Sequence, residues 1–422
     1  MNSERINGPK IKPIQQVQLP EIDVHKLSNG IPVYAISGST QDVLKLEIVI
    51  DAGRPFEKIR TASRTISRLL KEGTSNRTGE EIATQLEYYG ATFNTSSDID
   101  SCRVSLYCLS QYFEIVIDIV VDVVSKAIFP DVELDLFKSN MKQRLEIDLM
   151  KNDVVAYRAL TESLYGEDHP YGYNSTIDNY NSLTRDQLIS EYKAMYGCDR
   201  CTMFLSGKVT SKTISTLDKA FGNYTKPSSR KILSYDNTVP PVEQIRLESK
   251  NPYQSALRYG RRMFNKKHED YAGVSVLSTL LGGYFGSRLM SNIREDKGYT
   301  YNIYAGMDAM VHDGYFYIST EVGKEYLEDT MVQIKHELEV LKTELVPLEE
   351  LTMVKNYMAG NYLSMLDGPL KSSRIIRNVI SSDMKLDTFE KIITKTLTIT
   401  SEELQVLANK YLNLSDMTEV VV

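Results

Sequence analysis

The chain contains 422 residues, more than a single domain of common size requires, and 49 Lys and Arg residues against 56 Asp and Glu residues give it a net charge of −7. This acidic balance argues against a nucleic-acid-binding protein, which needs a basic surface, so we expect no nucleic-acid partner. The longest apolar stretch, residues 115–124, is interrupted by aspartates, and residues 1–16 lack the apolar core of a signal peptide. We therefore expect no membrane association and a cytoplasmic location.

Strand and helix patterns alternate along the first half of the chain. Apolar residues at every second position of residues 44–50 predict a strand, and apolar residues at helical spacing from residue 59 predict a helix that ends at Gly73. By the same criteria the later elements of this half are a helix at 80–89, strands at 91–97 and 101–109, and helices at 112–127 and 131–150.

The second half shows the same kinds of pattern. A strand is predicted at 255–264 and a helix at 269–281, followed by a glycine-rich loop at 282–286. The later elements are a helix that continues through residue 296, strands at 299–307 and 314–321, and helices at 324–341 and 348–366.

The order of elements is the same in both halves, which indicates an internal duplication. Both halves also contain the pattern G-x-T-x-N, at residues 90–94 and 298–302, and a segment rich in Gly, Pro and Ser at 222–241 predicts a linker. We therefore predict an α+β protein with two duplicated domains, 1–226 and 227–422. Each domain is expected to have a mostly antiparallel sheet with helices packed on one face, and the two domains should face each other across a cleft.

The four cysteines are too few for a disulfide framework in a chain of this length. Cys198 and Cys201 have the C-x-x-C spacing of redox and zinc sites, but an all-cysteine zinc site normally needs a second such pair, which the sequence lacks. We favour reduced structural thiols and keep a redox or metal role as the alternative.

Several short motifs, together with the duplicated order of elements, carry a resemblance to a known family. The motifs are LSNGIPV at 27–33, DAG at 51–53, EGT at 72–74, YYGA at 88–91, HPYG at 169–172, SGKV at 206–209 and SRL at 287–289. In this order and spacing they resemble the pitrilysin/insulinase family of zinc metallopeptidases, the inverted zincins. The resemblance covers most of the chain and implies that the two domains form half of a clam-shell cavity.

The zinc motif of that family is degenerate in this sequence. Active members carry H-x-x-E-H on the first helix, where the histidines hold zinc and the glutamate acts on the zinc-bound water. Counted back from Gly73, these positions are Arg64, Ser67 and Arg68, and an arginine cannot lose its proton to become a metal ligand. The resemblance puts the third zinc ligand near Glu146. The two arginines form either a solvated basic helix face or a cationic lining that pairs with Glu146.

No other part of the sequence offers a helical histidine pair. The histidines are His25, His169, His268, His312 and His336, and no two of them are three to five residues apart. We interpret each as structural, with His169 as a packing residue of the HPYG loop. We therefore expect no metal or other cofactor in this chain.

The second half keeps another feature of the family, an Arg and a Tyr with the spacing R-x6-Y. Arg294 and Tyr301 match it, and the resemblance gives them a catalytic role, as hydrogen-bond donors to the oxygen that becomes negative during peptide hydrolysis. The alternative is an ordinary arginine at a helix end and a tyrosine in a strand. The glycine-rich loop at 282–286 lacks the Gly-Lys-Ser/Thr of a phosphate-binding loop, so we interpret it as a close-packed turn or a hinge.

The resemblance therefore implies a chain without zinc that keeps the Arg/Tyr pair, like the zinc-less subunit of heterodimeric members of the family. The zinc and the general base would come from a homologous partner subunit, and metallopeptidase activity is expected only in that complex. The substrate would be a peptide that adds as a strand to a sheet edge, with 91–97 as a candidate edge and Asn94 as a substrate-binding residue. Asn94 is equally well explained by a turn hydrogen bond.

Two other functions remain open. One is a catalytically inert homodimer of the same fold with a structural or peptide-binding role, similar to the respiratory-complex subunits of the family. The other is an enzyme that holds zinc through Cys198 and Cys201. The retained R-x6-Y spacing favours the heterodimeric peptidase.

Overall fold

The computed structural model describes residues 17–249, 251 and 253–422. The prediction that the chain starts without a signal peptide concerns residues 1–16, which lie outside the described residues. The described chain forms two β-sheets surrounded by helices.

The strands fall into two sheets, one from each half of the chain. The first sheet contains β1 (Asp23–Lys26), β2 (Pro32–Ser37), β3 (Val43–Ile50), β4 (Thr92–Ser97), β5 (Cys102–Leu109) and β6 (Cys201–Gly207). The second contains β7 (Gln244–Arg246), β8 (Gln254–Met263), β9 (Ile303–Ala309), β10 (Gly314–Gly323) and β11 (Thr418–Val421).

Helices occupy most of the chain between the strands. The first half has α1 (Ala62–Leu69), α2 (Gly79–Tyr88), α3 (Phe113–Lys126), α4 (Asp131–Asp148), α5 (Asn152–Tyr165), α6 (Ile177–Ser182), α7 (Arg185–Met195) and α8 (Ser211–Phe221). The second half has α9 (Tyr271–Ser278), α10 (Leu327–Thr343), α11 (Leu348–Met365), α12 (Pro369–Ser381), α13 (Leu386–Thr398) and α14 (Ser401–Tyr411). Within the described ranges, no helix has both the length and the apolar character needed to cross a membrane.

The two sheets have the same topology. Their strand orders are β1-β2-β6-β3-β5-β4 and β7-β11-β8-β10-β9, so the second repeats five strands of the first in the same arrangement. In each sheet the strand that comes last in the chain, β6 or β11, is parallel to one neighbour and antiparallel to the other, and the other pairings are antiparallel. The predicted duplication into mostly antiparallel sheets is confirmed. The domain limits 1–226 and 227–422 stay a prediction, although the chain from α8 to β7 contains no helix or strand.

Each sheet packs one face against helices of its own half. In β3 the alternating residues Leu44, Leu46, Ile48 and Ile50 are buried in the same cluster as apolar side chains of α1 and α3. The second sheet buries residues such as Leu257 in an equivalent cluster with α9, α10 and α14. The period of two along a strand brings these side chains to one face, and their burial is the main stabilising contribution to each half.

The opposite face of each sheet receives a helix from the other half. Helix α5 of the first half packs on β8 and β11, and α12 of the second half packs on β6 and β2. In the second sheet Gly260 makes room for α5, because a Cβ atom there would lie 2.8 Å from the Leu160 Cδ2 atom. This exchange of helices was not predicted, and it ties the two halves into one structure.

Loops from both halves meet beside this exchange. The Tyr171 hydroxyl of the HPYG loop donates to Asp100 Oδ1 at 2.5 Å, and Asp100 Oδ2 accepts from the Val311 N–H at 3.0 Å. A cavity of about 850 Å³ between the halves is lined by residues of both, including Asp51 and Lys266. A cavity is therefore present between the two halves, and the hydrogen-bonded Asp100 and Val311 are among its lining residues.

The helices next to the glycine-rich loop differ from the prediction. The helix predicted at 269–281 is α-helical only over α9 and continues as a π-helix at Thr279–Gly283, and the helix that continues through 296 contains a π-helix at Met290–Asp296. Gly282 packs so closely on β9 that a Cβ atom there would lie 2.5 Å from the Ala305 nitrogen. π-Helical turns are rare and occur mostly at functional sites, so this segment is a candidate part of a functional site.

Candidate active site

Helix α1 carries the degenerate zinc motif, and its apolar spacing decides which residues face outward. Ala62, Ile66 and Leu69 are buried against the sheet, so Arg64 and Arg68, one turn apart, are exposed on the opposite side. Ser67 is buried, and its hydroxyl has no hydrogen-bond partner.

The side chains at these positions do not fit a zinc ion. Two guanidinium groups and one buried hydroxyl provide none of the nitrogen, sulfur or carboxylate ligands that zinc takes in proteins. Glu146 is exposed on α4 and forms no ion pair with Arg64 or Arg68, so the predicted pairing is not made. In the part of the chain that the structure describes, no group of three or more His, Cys, Asp or Glu side chains is arranged to hold a metal ion.

The structure brings Arg294 and Tyr301 together. Arg294 lies in the π-helix Met290–Asp296, and Gly298 follows it with a φ of 68°, a left-handed conformation that glycine adopts without strain. The chain therefore turns back on itself, and the Arg294 guanidinium carbon lies 5.4 Å from the centre of the Tyr301 ring. The Tyr301 side chain is 88% exposed, so its hydroxyl is free to contact another molecule.

A third residue, Phe285 of the glycine-rich loop, completes this cluster. Its ring centre lies 4.6 Å from the Arg294 guanidinium carbon, so the guanidinium contacts two aromatic rings. Arg294 Nη1 also lies 3.0 Å from Glu295 Oε1, but the geometry is not that of a hydrogen bond. We did not predict a role for Phe285, and an aromatic residue within a glycine-rich loop is the signal that could have pointed to it.

Asn94 lies on the strand at the edge of the first sheet. Among the described strands, β4 pairs only with β5, where Asn94 is opposite Ser105, and the Asn94 side chain is exposed. The prediction of an edge strand at 91–97 is confirmed, while the substrate-binding role of Asn94 stays a prediction. Helix α1 packs against β4, so the edge strand and the degenerate motif are neighbours.

Models of one peptidase family match both halves of the chain. The model described as insulinase (peptidase family M16) matches residues 33–170, and the model described as peptidase M16 inactive domain matches residues 182–358. The chain belongs to the insulinase family, M16. The chain is therefore an M16 peptidase homologue, and the placement of Arg64, Ser67 and Arg68 at the zinc-motif positions of the family stays a prediction.

Similar M16 proteins extend over nearly the whole chain. The uncharacterized zinc protease YmxG of Bacillus subtilis is 23% identical over 90% of this chain and 93% of its own length. Subunit 1 of the mitochondrial cytochrome b-c1 complex of Caenorhabditis elegans is 22% identical over 87% of this chain and 81% of its own. The crystal structure of a peptidase M16 inactive domain from Pseudomonas fluorescens has a TM-score of 0.85 and 24% identity and covers 95% of this chain and 97% of that chain. This likeness shows the M16 fold.

His169 and the four cysteines have packing roles in this M16 chain. His169 is buried, stacks on Tyr165 with ring centres 4.9 Å apart, and accepts the Tyr171 N–H at Nδ1, so its interpretation as a packing residue is confirmed. All four thiols are free. Burial raises the pKa of Cys108 to about 12 and that of Cys201 further, which suits inert thiols.

Proposed function

We propose that this chain is the zinc-lacking subunit of a heterodimeric M16 peptidase. The observation that carries the proposal is the contact between Arg294 and Tyr301 in a chain whose zinc-motif positions have no ligand. A half-site of this kind needs a homologous partner subunit that holds zinc, the bound water and the general base. The relatives named zinc proteases support a peptidase context.

The chemistry of this chain's own residues is the stabilisation of negative charge. Attack on a peptide carbonyl moves an electron pair to the carbonyl oxygen, and donors placed beforehand around that oxygen lower the barrier. The Arg294 guanidinium presents several N–H groups, and the exposed Tyr301 hydroxyl adds one more donor. Both residues would bind this oxygen across the cavity that the two subunits share.

The edge of the first sheet is the proposed binding surface for the peptide. The free side of β4 offers backbone N–H and C=O groups to an extended peptide, which would pair as an additional strand. The exposed Asn94 side chain would then contact a peptide group, next to α1 and its two arginines.

Reconstitution with a zinc-bearing M16 homologue that carries H-x-x-E-H tests the proposal. We expect hydrolysis of a fluorogenic peptide by the mixture and by neither chain alone. Arg294→Ala should lower kcat of the mixture by about 10²–10³, the usual effect of removing a donor to the developing charge. Lys297→Ala removes an exposed cation three residues further along and should leave kcat unchanged. Full activity of Arg294→Ala would contradict the assigned role.

A second function, an inert homodimer with a structural or peptide-binding role, is supported by the similarity to a cytochrome b-c1 complex subunit. It predicts self-association of the purified chain, no hydrolysis with any partner, and full tolerance of Tyr301→Ala. Analytical ultracentrifugation of the chain alone and with its partner separates the two functions. The cytoplasmic location stays a prediction of the sequence.

A further inference from the structure

The loop that carries Phe285 is attached to α11 on both sides of that residue. On one side the Tyr284 ring stacks on Tyr357 of α11, with ring centres 4.9 Å apart and an angle of 28° between the planes. On the other side Arg288 forms two parallel hydrogen bonds of 2.8 Å, from Nε and Nη2 to the carboxylate oxygens of Glu350. Such bidentate pairs fix the relative orientation of the guanidinium and the carboxylate as well as the distance between them. The backbone on each side of Phe285 is therefore held by the same helix.

Phe285 itself is 61% exposed, so burial of its ring does not explain its position. Its specific contact is with the Arg294 guanidinium, 4.6 Å from the ring centre. A long arginine side chain has many rotamers, and holding it in one of them costs conformational entropy. Contact with an aromatic face offsets part of that cost.

We propose that Phe285 is the positioning residue of Arg294. Helix α11 holds the loop through Tyr284 and Arg288, and the loop in turn holds the Phe285 ring. The ring keeps the Arg294 guanidinium beside Tyr301 and prevents it from rotating towards the Glu295 carboxylate. Phe285 would act through Arg294 and without contact with the reacting atoms. The kinetic part of this inference rests on the proposed function, whereas the contact between Phe285 and Arg294 can be tested without it.

The kinetic test uses the complex with the zinc-bearing partner. Phe285→Leu keeps an apolar side chain of similar size but removes the aromatic face, and it should lower kcat about fivefold with KM unchanged. Phe285→Trp should restore kcat, because indole is the strongest partner for a guanidinium. Lys297→Ala, at an exposed position outside this loop, should match the unmodified chain. If Arg294→Ala lowers kcat and Phe285→Leu does not, this inference is wrong and the proposed function stands.

The second test needs no partner and no activity. The chain contains no tryptophan, so Phe285→Trp introduces a single fluorescent reporter at the contact. Adding Arg294→Gln should shift its emission to longer wavelength, since the indole loses its cover and becomes more exposed. Adding Lys297→Gln should leave the emission unchanged. An emission that does not respond to Arg294→Gln overturns the inference, whatever the peptidase assays show.

Discussion

The two exchanged helices make different kinds of contact. Helix α12 brings Arg377 to the first sheet, where it forms an ion pair with Glu47 of β3, and both residues are buried, at 8% and 2% exposed. Helix α5 brings Leu160 and other apolar side chains to the second sheet, where they form a cluster with Ala256 and Val420. One exchanged helix therefore adds a buried ion pair to the apolar packing of Ile376 on the first sheet, whereas the other packs on an apolar cluster of the second sheet.

This difference determines how each helix–sheet contact responds to amino-acid substitution. A buried ion pair costs desolvation, and it is retained only while both partners are present. An apolar contact depends on shape, and it weakens in proportion to the volume that is removed. The two contacts should therefore fail under different perturbations.

The largest effect is expected from Glu47→Gln, which removes the negative charge that pairs with the buried Arg377 and, at 2.9 Å, with Lys45. The free energy of unfolding should fall by about 4 kcal/mol, measured by urea denaturation at pH 7. The double variant Glu47→Met with Arg377→Met should lose much less of its free energy of unfolding, because neither charge of the buried pair remains. A loss below about 1 kcal/mol for Glu47→Gln would mean that the pair does not hold α12.

Next in size is Leu160→Ala, which removes a completely buried side chain from the contact between α5 and the second sheet. We expect a loss of about 3 kcal/mol in the free energy of unfolding, from the lost burial and the cavity that remains. Leu136→Ala on α4 is the matched control, since Leu136 is 55% exposed, and it should change stability by less than about 0.5 kcal/mol. Equal losses in the two variants would contradict the exchanged packing.

The smallest effect concerns pH at the end of α5, where His169 stacks on Tyr165. Burial lowers the pKa of His169 below its usual 6.5, although the hydrogen bond with Asn237 and the nearby Asp313 and Asp236 oppose this. As the pH falls through 6.5, the unfolded chain takes up a proton at this residue before the folded chain does. Because of His169, the free energy of unfolding therefore decreases progressively as the pH falls from 6.5 to the pKa of this residue in the folded chain.

The check is to compare the free energy of unfolding at pH 7.5, 6.5 and 5.5 for the unmodified chain and for His169→Asn, whose side-chain oxygen can still accept the Tyr171 N–H. The free energy of unfolding of the variant should fall less than that of the unmodified chain over this interval. Parallel pH curves would mean that His169 does not titrate differently in the folded and unfolded chain.

Local sequence patterns predicted most elements of the two halves up to residues 150 and 366, because the period of apolar residues is a property of neighbouring positions. They also placed Arg294 and Tyr301 at a spacing that the fold brings into contact. The π-helical turns on either side of Phe285 were missed. The first of them packs closely on another strand, with Gly282 against Ala305, and a local pattern does not show contacts of this kind. No pattern connected Phe285 to Arg294 for the same reason.

The sequence by itself determined the duplicated α+β organisation and the edge position of 91–97, and it predicted Arg64, Ser67 and Arg68 at the zinc-motif positions. Only the tertiary structure decided that β6 and β11 insert into the middle of their sheets and that α5 and α12 cover the sheets of the opposite halves. An apolar face shows that a helix or strand must be buried, but its period does not say against which partner. That choice depends on contacts between residues far apart in the chain, such as Ile50 with Cys201.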